Sequence, residues 1–140
     1  MTRTLEHRAM VIPAEADALQ GMRQWLDQTL TAFGLTRGLR EQLVLAVNEA
    51  CMNIIQHAYG EKTTGEIRLQ ISLQPARLLI ELQDDAPCID PVAVKPRALS
   101  DVRPGGLGVH FIHEIMDEMV FLPCHEKGNR LRLVKYLETA

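Results

Sequence analysis

Two widely used enzyme motifs are missing from this sequence of 140 residues. There is no Gly-Lys-Ser or Gly-Lys-Thr, which excludes a P-loop, and no Gly-x-Ser-x-Gly, which excludes the nucleophile elbow of an α/β-hydrolase. If the chain binds phosphate, it must therefore use helix N-termini, a metal ion or a loop.

Cysteines are few, and targeting or membrane-spanning segments are not seen. Cys51, Cys88 and Cys124 are odd in number and far apart, which favours reduced thiols in a cytoplasm over a disulfide framework. The N-terminus has no apolar run of signal-peptide length, and no stretch is long and apolar enough to span a bilayer. We therefore expect a cytoplasmic protein with no membrane partner.

The charge balance offers little for a polyanion to bind. The net charge is −3 and no basic stripe stands out, which argues against direct binding to nucleic acid. Apolar residues make up 46% of the chain and charged residues 24%, as in a folded globular protein. This length suits one core and not two, so residues 1–140 are predicted to form a single domain.

The hydrophobic periodicity predicts an α+β fold. Strands are predicted at 5–12, 66–73, 77–83, 118–123 and 130–137. Helical spacing marks residues 15–33, residues 39–59 and a segment that starts near residue 109. The pattern predicts a two-layer sandwich, in which helices cover one face of a mixed, largely antiparallel sheet.

The predicted helix 39–59 carries a polar row along the edge of its apolar face. Glu49, Asn53 and His57 follow one another at i, i+4 and i+8, so they align along the helix. A carboxylate there can orient or deprotonate a hydroxyl, and an amide oxygen can ligate Mg²⁺. Such rows are also common among solvated residues of amphipathic helices, and the row alone does not decide between the two.

A second candidate lies at the end of the strand 77–83. Asp84 and Asp85 follow the strand, and Ala86-Pro87 then breaks it. An Asp at a strand end that faces a pocket can accept a hydrogen bond from an exocyclic amine, such as that of adenine. The alternative is a solvated turn capped by Asp.

A third candidate is the glycine-rich segment before the last helix. Gly105, Gly106 and Gly108 come directly before the apolar residues of that helix. Glycine lets backbone approach a ligand closely, and a helix N-terminus offers free N–H groups and a positive dipole to phosphate. A flexible helix start is the alternative, because a lone Gly-Gly-x-Gly is a weak signal.

Together and in this order, the three segments resemble the motifs of the GHKL ATP-binding superfamily. The segment AVNEACMNIIQHAY at 46–59 is similar to the N-box of its anti-sigma-factor serine/threonine kinases. DDAPCIDP at 84–91 resembles the G1 box, and GGLGVHFI at 105–112 the G2 box. The resemblance covers about residues 15–137 and implies the GHKL (Bergerat) fold, a histidine-kinase-like ATP-binding domain over residues 1–140.

The resemblance also implies roles for single residues. Glu49 would be the catalytic carboxylate, and Asn53 would ligate Mg²⁺. Asp84 would bind the amino group of adenine, with Ala86 beside it. Four further residues would complete the ATP site toward the phosphates: Arg103, Gly105, Gly106 and Gly108.

The sequence departs from the family pattern at two of these positions. Ala86 stands where the family has glycine, and if that position requires a positive φ, alanine costs about 1 kcal/mol. Arg103 is the basic residue near the second glycine motif, but Pro104 follows it. Its assignment to the γ-phosphate therefore stays open.

Three functions are compatible with these features. The resemblance implies an ATP- and Mg²⁺-dependent serine/threonine kinase that acts as an anti-sigma factor. It would phosphorylate a STAS-type anti-anti-sigma protein, have a sigma factor as a second candidate partner, and form a homodimer. The first alternative is a non-catalytic module that binds nucleotide or protein partners only. The second is the ATP-binding half of a histidine kinase, which ranks last because the chain has no room for a helical dimerisation domain.

The segment 89–104 is predicted to be a lid over the nucleotide. It contains three of the seven prolines, shows no clear period, and lies between the adenine carboxylate and the phosphate glycines. Lids that gate phosphoryl transfer order on binding, so Mg·ATP should slow hydrogen exchange in this segment. Equal exchange with and without nucleotide would contradict a lid.

Overall fold

A five-stranded sheet packed against helices makes up the described part of the chain. The computed structural model describes residues 5–56, 65–87, 106–124 and 128–137. In chain order the elements are β1 (Glu6–Pro13), a 3₁₀ turn (Ala16–Ala18), α1 (Leu19–Ala32), α2 (Arg37–Ile54), β2 (Glu66–Leu73), β3 (Arg77–Asp84), α3 (Gly106–Ile115), β4 (Glu118–Phe121) and β5 (Arg130–Tyr136).

The strand order in the sheet is β1-β2-β3-β5-β4. Each neighbouring pair among the described strands is antiparallel. The predicted two-layer α+β architecture is confirmed. The sequence predicts a mixed, largely antiparallel sheet, and the strand pairs among the described residues are all antiparallel. β3 lies at the centre, so the residue that ends β3 lies between two neighbouring strands.

Alternation of apolar and polar residues explains why the central hairpin forms. Along β2 and β3, alternate side chains are buried on the helix-facing side, and those between them are polar or partly exposed. The buried set is Ile67, Leu69, Ile71, Leu73, Leu78, Ile80 and Leu82. The hairpin closes with a hydrogen bond of 2.9 Å from the backbone N–H of Gln74 to the carbonyl of Arg77.

The helices cover this apolar face. On α2 the buried side chains recur at helical spacing, with Leu43, Val47 and Ala50 almost completely buried. α1 adds Met22 and Leu26, which are also fully buried. Burial of each large apolar side chain contributes about 1.5–3 kcal/mol, and this packing places the C-terminal half of α2 over the end of β3.

Several element boundaries differ from the sequence prediction, among them the starts of α1 and α3 and the end of β4. The first helix begins with the 3₁₀ turn, and α1 starts at Leu19 instead of residue 15, because Glu15 is still extended (φ −132°, ψ 142°). β4 ends at Phe121, two residues before Pro123, which has no N–H for a sheet ladder. α3 begins at Gly106, so Gly106 and Gly108 lie inside its first turn and not before it.

The cysteines correct one expectation. Cys51 is free and buried, and burial raises the pKa of its thiol to about 12. Cys124 is disulfide-bonded, so the expectation of reduced thiols is wrong for this residue. Spacing along a sequence does not reveal which thiols meet in space.

None of the helices in the described segments could span a membrane. Even α2, the longest of them at 18 residues, is not apolar enough to cross a bilayer.

We predict that Gly128 is required by the turn that precedes β5. Its φ is +91°, and a Cβ there would lie 3.4 Å from the carbonyl oxygen of Asp84. Gly128→Ala should lower the free energy of unfolding by about 1–2 kcal/mol. The matched control is Gly38→Ala in α2, where an added Cβ meets nothing within 4 Å. It should raise stability by up to about 1 kcal/mol. Urea denaturation measures both, and equal stabilities would contradict the prediction.

Candidate functional site

A pocket opens between α2, α3 and the sheet, at the end of β3. The residues that line it come from all three parts of the fold: Ala50, Asn53, Ile54, Leu82, Asp84, Ile112, Met119, Phe121, Asn129, Arg130 and Leu131. Most of these side chains are apolar, with a few polar groups among them. That combination is typical of small-molecule and cofactor sites.

The carboxylate of Asp84 is the buried polar group on the sheet side of the pocket. Asp84 ends β3 and is only 3% exposed. Its Oδ1 accepts three hydrogen bonds, from the backbone N–H of Ala86 at 3.0 Å, from the backbone N–H of Asn129 at 3.1 Å and from Asn129 Nδ2 at 3.0 Å. Its Oδ2 is buried and accepts none from the described residues. The carboxylate is thus fixed by one oxygen, and the other can accept a donor.

The protonation of Asp84 reflects this burial. Desolvation raises the pKa of the carboxyl group above its ordinary value of 3.8, and the negative charge of Asp85 adds to the rise. The hydrogen bonds from Asn129 and Ala86 lower the pKa and offset part of the effect. A buried carboxylate without a full set of donors is costly. A ligand amine that donates to Oδ2 would reduce that cost.

Ala86, which replaces the glycine of the family pattern, causes no backbone strain. Among the described residues, only glycines have a positive φ. Ala86 is buried, its N–H donates to Asp84, and its carbonyl accepts a hydrogen bond of 2.8 Å from Gly128 N–H. The cost that a positive φ would impose is therefore absent. Ala86 thus holds Asp84 through its backbone N–H and does not itself line the pocket.

Asn53 supplies a second unsatisfied oxygen in the same pocket. The residue is buried on α2, and its Oδ1 has no hydrogen-bond partner among the described residues. An amide oxygen is a hard ligand, and Mg²⁺ in nucleotide sites is bound by one or two protein oxygens together with phosphates and waters. A single orphaned amide oxygen therefore fits a magnesium ion that arrives with a phosphate ligand.

Glu49 lies one helical turn before Asn53, at the edge of the site. It is half-buried on α2, and it is not among the residues that line the pocket. Gly106 and Gly108 lie in the first turn of α3, whose N-terminal N–H groups can bind an anion. Arg103, Gly105 and His57 lie outside the described residues, as does the predicted lid. The structure thus brings Asn53 and Asp84 together in one pocket.

Sequence reasoning missed several residues of this pocket, above all Asn129. The sequence pattern predicts Asn129 only as part of the connection before the strand at 130–137, yet Asn129 makes two of the three hydrogen bonds to Asp84 Oδ1. The signal in the sequence was Gly128-Asn129, a turn pair directly before an apolar strand. Met119 and Phe121 of β4 were also missed, because no motif marks an apolar pocket wall.

Comparison with known proteins identifies the family and the fold. A model of the family described as "Histidine kinase-like ATPase domain" matches residues 12–135, nearly the whole chain. This chain belongs to the histidine kinase-like ATPase domain family. The pocket of this ATPase domain contains Asn53 Oδ1 and Asp84 Oδ2, the buried oxygens without a hydrogen-bond partner among the described residues.

Curated relatives of this histidine kinase-like ATPase domain carry the name serine-protein kinase RsbW. One from Bacillus cereus is 28% identical over 99% of the chain and 89% of the relative. One from Bacillus velezensis is 29% identical over 98% of the chain and 89% of the relative. The predicted resemblance to the anti-sigma-factor serine/threonine kinases is confirmed, and with it the predicted enzyme class, a protein serine/threonine kinase.

Solved structures of low sequence identity show the same fold. A crystal structure of the RsbU and RsbW domains of Rv1364c from Mycobacterium tuberculosis matches 93% of this chain, with a TM-score of 0.67 and 15% identity. A histidine kinase domain from Erythrobacter litoralis matches 89%, with a TM-score of 0.55 and 16% identity. The ATPase domain spans 31% of the mycobacterial chain and 61% of the Erythrobacter chain.

We predict that Asp84→Asn separates ligand binding from stability. The variant turns the free oxygen into a donor, which should weaken Mg·ATP binding by about 10- to 100-fold in calorimetric titration. The control is Asp85→Asn, which removes the same charge from the exposed neighbour and should bind like the wild type. Equal affinity of the wild type and Asp84→Asn would contradict the role of Asp84.

The pH dependence of stability should change in the same variant. Because the pKa of Asp84 lies above 3.8 in the folded state, the folded protein holds a proton over a range in which the unfolded chain has lost it. The wild-type free energy of unfolding therefore contains a contribution that falls as the pH rises from about 3.8 through the raised pKa. Asp84→Asn removes this fall, and urea denaturation from pH 4 to 8 should show it. An unchanged pH profile would contradict the assignment.

Proposed function

We propose that this chain is an ATP-dependent anti-sigma-factor kinase that transfers the γ-phosphate to a serine or threonine of a STAS-type anti-anti-sigma protein. The observation that carries the nucleotide part is the pair of buried oxygens in one pocket, Asp84 Oδ2 and Asn53 Oδ1, neither with a donor among the described residues. Asp84 Oδ2 suits the amine of a purine, and Asn53 Oδ1 suits a cation. Kinship with the serine-protein kinases of Bacillus supports a protein hydroxyl as the acceptor.

In this mechanism, different residues of the chain bind different parts of ATP. Asp84 Oδ2 accepts a hydrogen bond from the adenine amine, and the apolar walls hold the base. The N-terminus of α3 presents backbone N–H groups to the phosphates. Asn53 would hold Mg²⁺, which, when bound, neutralises charge on the transferring phosphoryl group.

Glu49 acts on the acceptor. In the transfer step, the acceptor oxygen forms a bond to the γ-phosphorus while the bond to the β–γ bridging oxygen breaks, and ADP leaves. The Glu49 carboxylate orients the hydroxyl and takes its proton. Its position at the edge of the pocket, half-buried, suits a group that must meet a protein substrate from outside.

The partners follow from the same kinship. We propose a STAS-domain protein as the substrate, a sigma factor as a second partner, and a homodimer as the working form. A kinase that uses ATP and controls a sigma factor works in the cytoplasm, where transcription takes place.

A second candidate function is a non-catalytic module that binds nucleotide or its partners only. The observation in its favour is that Glu49 does not line the pocket that holds Asn53 and Asp84. In that case the two buried oxygens would bind Mg·ATP, and no phosphoryl group would be transferred.

We predict that Glu49 and Asn53 affect different steps. Glu49→Ala should leave Mg·ATP affinity nearly unchanged and slow label transfer from γ-labelled ATP to the STAS protein by about 100-fold or more. Asn53→Ala should instead abolish the part of nucleotide affinity that depends on Mg²⁺.

Glu41→Ala is the matched control. Glu41 lies two turns earlier on α2 and is exposed, and it forms an ion pair with Arg37 at the surface, so its removal should change neither step. If Glu49→Ala transfers label as fast as the wild type, the proposed mechanism is wrong. If the wild type binds Mg·ATP but labels no STAS partner, the binding module is the better account.

A further inference from the structure

Gly128 and Asn129, which precede β5, form hydrogen bonds with the segment that carries Asp84. Asn129 N–H and Asn129 Nδ2 both donate to Asp84 Oδ1, at 3.1 Å and 3.0 Å. The same Nδ2 donates to the carbonyl of Pro87 at 2.9 Å. In return, Asp84 N–H donates to the Asn129 carbonyl at 3.0 Å, and Gly128 N–H donates to Ala86 at 2.8 Å. Five hydrogen bonds thus join the two residues before β5, Gly128 and Asn129, to three residues at the end of β3: Asp84, Ala86 and Pro87.

The orientation of the Asn129 amide is determined by this arrangement. Its nitrogen faces two acceptors, Asp84 Oδ1 and the Pro87 carbonyl. A flipped amide would place an oxygen against both of them, which is repulsive. The side chain therefore supplies a donor at this position.

Asn129 controls how the carboxylate is presented. With three donors on Oδ1, the lone pairs of that oxygen are used, and the carboxylate cannot rotate without losing them. The buried Oδ2 is left as the acceptor in the pocket. Without the Asn129 amide, the carboxyl group could turn or hold a proton on either oxygen, and a protonated Asp84 can donate as well as accept.

We propose that Asn129 is a positioning residue that makes the pocket selective for 6-aminopurine nucleotides over 6-oxopurine nucleotides, by holding Asp84 as a fixed, ionised acceptor. The inference rests on the proposed binding of ATP. A 6-amino group donates to the free oxygen of Asp84. A 6-oxo group would place its own acceptor against that oxygen, and the site would leave both unpaired.

The test compares Mg·ATP with Mg·ITP, which differ at the 6-position of the base. The wild type should prefer Mg·ATP by about 10- to 100-fold in calorimetric titration at pH 7.5. In Asn129→Ala this preference should fall to a few-fold, because ATP loses affinity and ITP does not. In Asn129→Ser, a hydroxyl that donates one hydrogen bond should restore part of the preference. Gln83→Ala, at an exposed neighbour of Asp84, is the control and should keep the full preference.

A second readout needs no nucleotide. The Asn129 side-chain hydrogen bond lowers the pKa of Asp84, so NMR titration of the Asp84 carboxyl carbon should give a higher pKa in Asn129→Ala than in the wild type or Gln83→Ala. A merely structural role would weaken ATP and ITP equally and leave this pKa in place.

The outcomes separate the two proposals. If the wild type binds no adenine nucleotide, the proposed function fails and the selectivity fails with it. If the wild type binds Mg·ATP but Asn129→Ala keeps both the preference and the pKa of Asp84, only the role of Asn129 is overturned. If Asn129→Ala does not fold, the same two measurements on Asn129→Ser decide, because a lone hydroxyl should give intermediate values of both.

Discussion

The half-satisfied carboxylate of Asp84 is the interaction on which the rest of the site depends. A central strand of an antiparallel sheet delivers it into the interior, where an unpaired charge is costly. The turn at Gly128-Asn129 and the backbone of Ala86 stabilise one of its oxygens. The fold thus satisfies enough of the group to keep it buried and leaves one oxygen for a ligand.

The pocket as a whole follows the same logic. Two buried oxygens, on Asp84 and Asn53, lack partners within the described residues, and apolar side chains surround them. Each such atom costs stability in the free protein, and a ligand with an amine at one end and a cation at the other would recover that cost in binding. The unpaired oxygens therefore lower the stability of the free protein and raise its affinity for the ligand, as is common for functional sites.

The sequence predicted the architecture because periodicity acts locally. Alternation in β2 and β3 and the helical spacing in α2 each required burial on one face, and the structure buries those faces. Asn53 and Asp84 were predicted as site residues from local patterns too, at the edge of a helix and at the end of a strand. Contacts between segments that are far apart in the sequence could not be predicted. Asn129 is 45 residues from Asp84, and the bonded state of Cys124 also depends on the fold. The sequence could not tell whether the position of Ala86 requires a positive φ, and the structure shows that it does not.

A crystal structure of this chain with Mg²⁺ and a non-hydrolysable ATP analogue tests the central claim most directly. The account predicts the adenine amine within about 3.2 Å of Asp84 Oδ2. It also predicts Asn53 Oδ1 about 2.1 Å from Mg²⁺. A nucleotide bound away from this pocket, or an adenine whose amine does not reach Asp84, would contradict it.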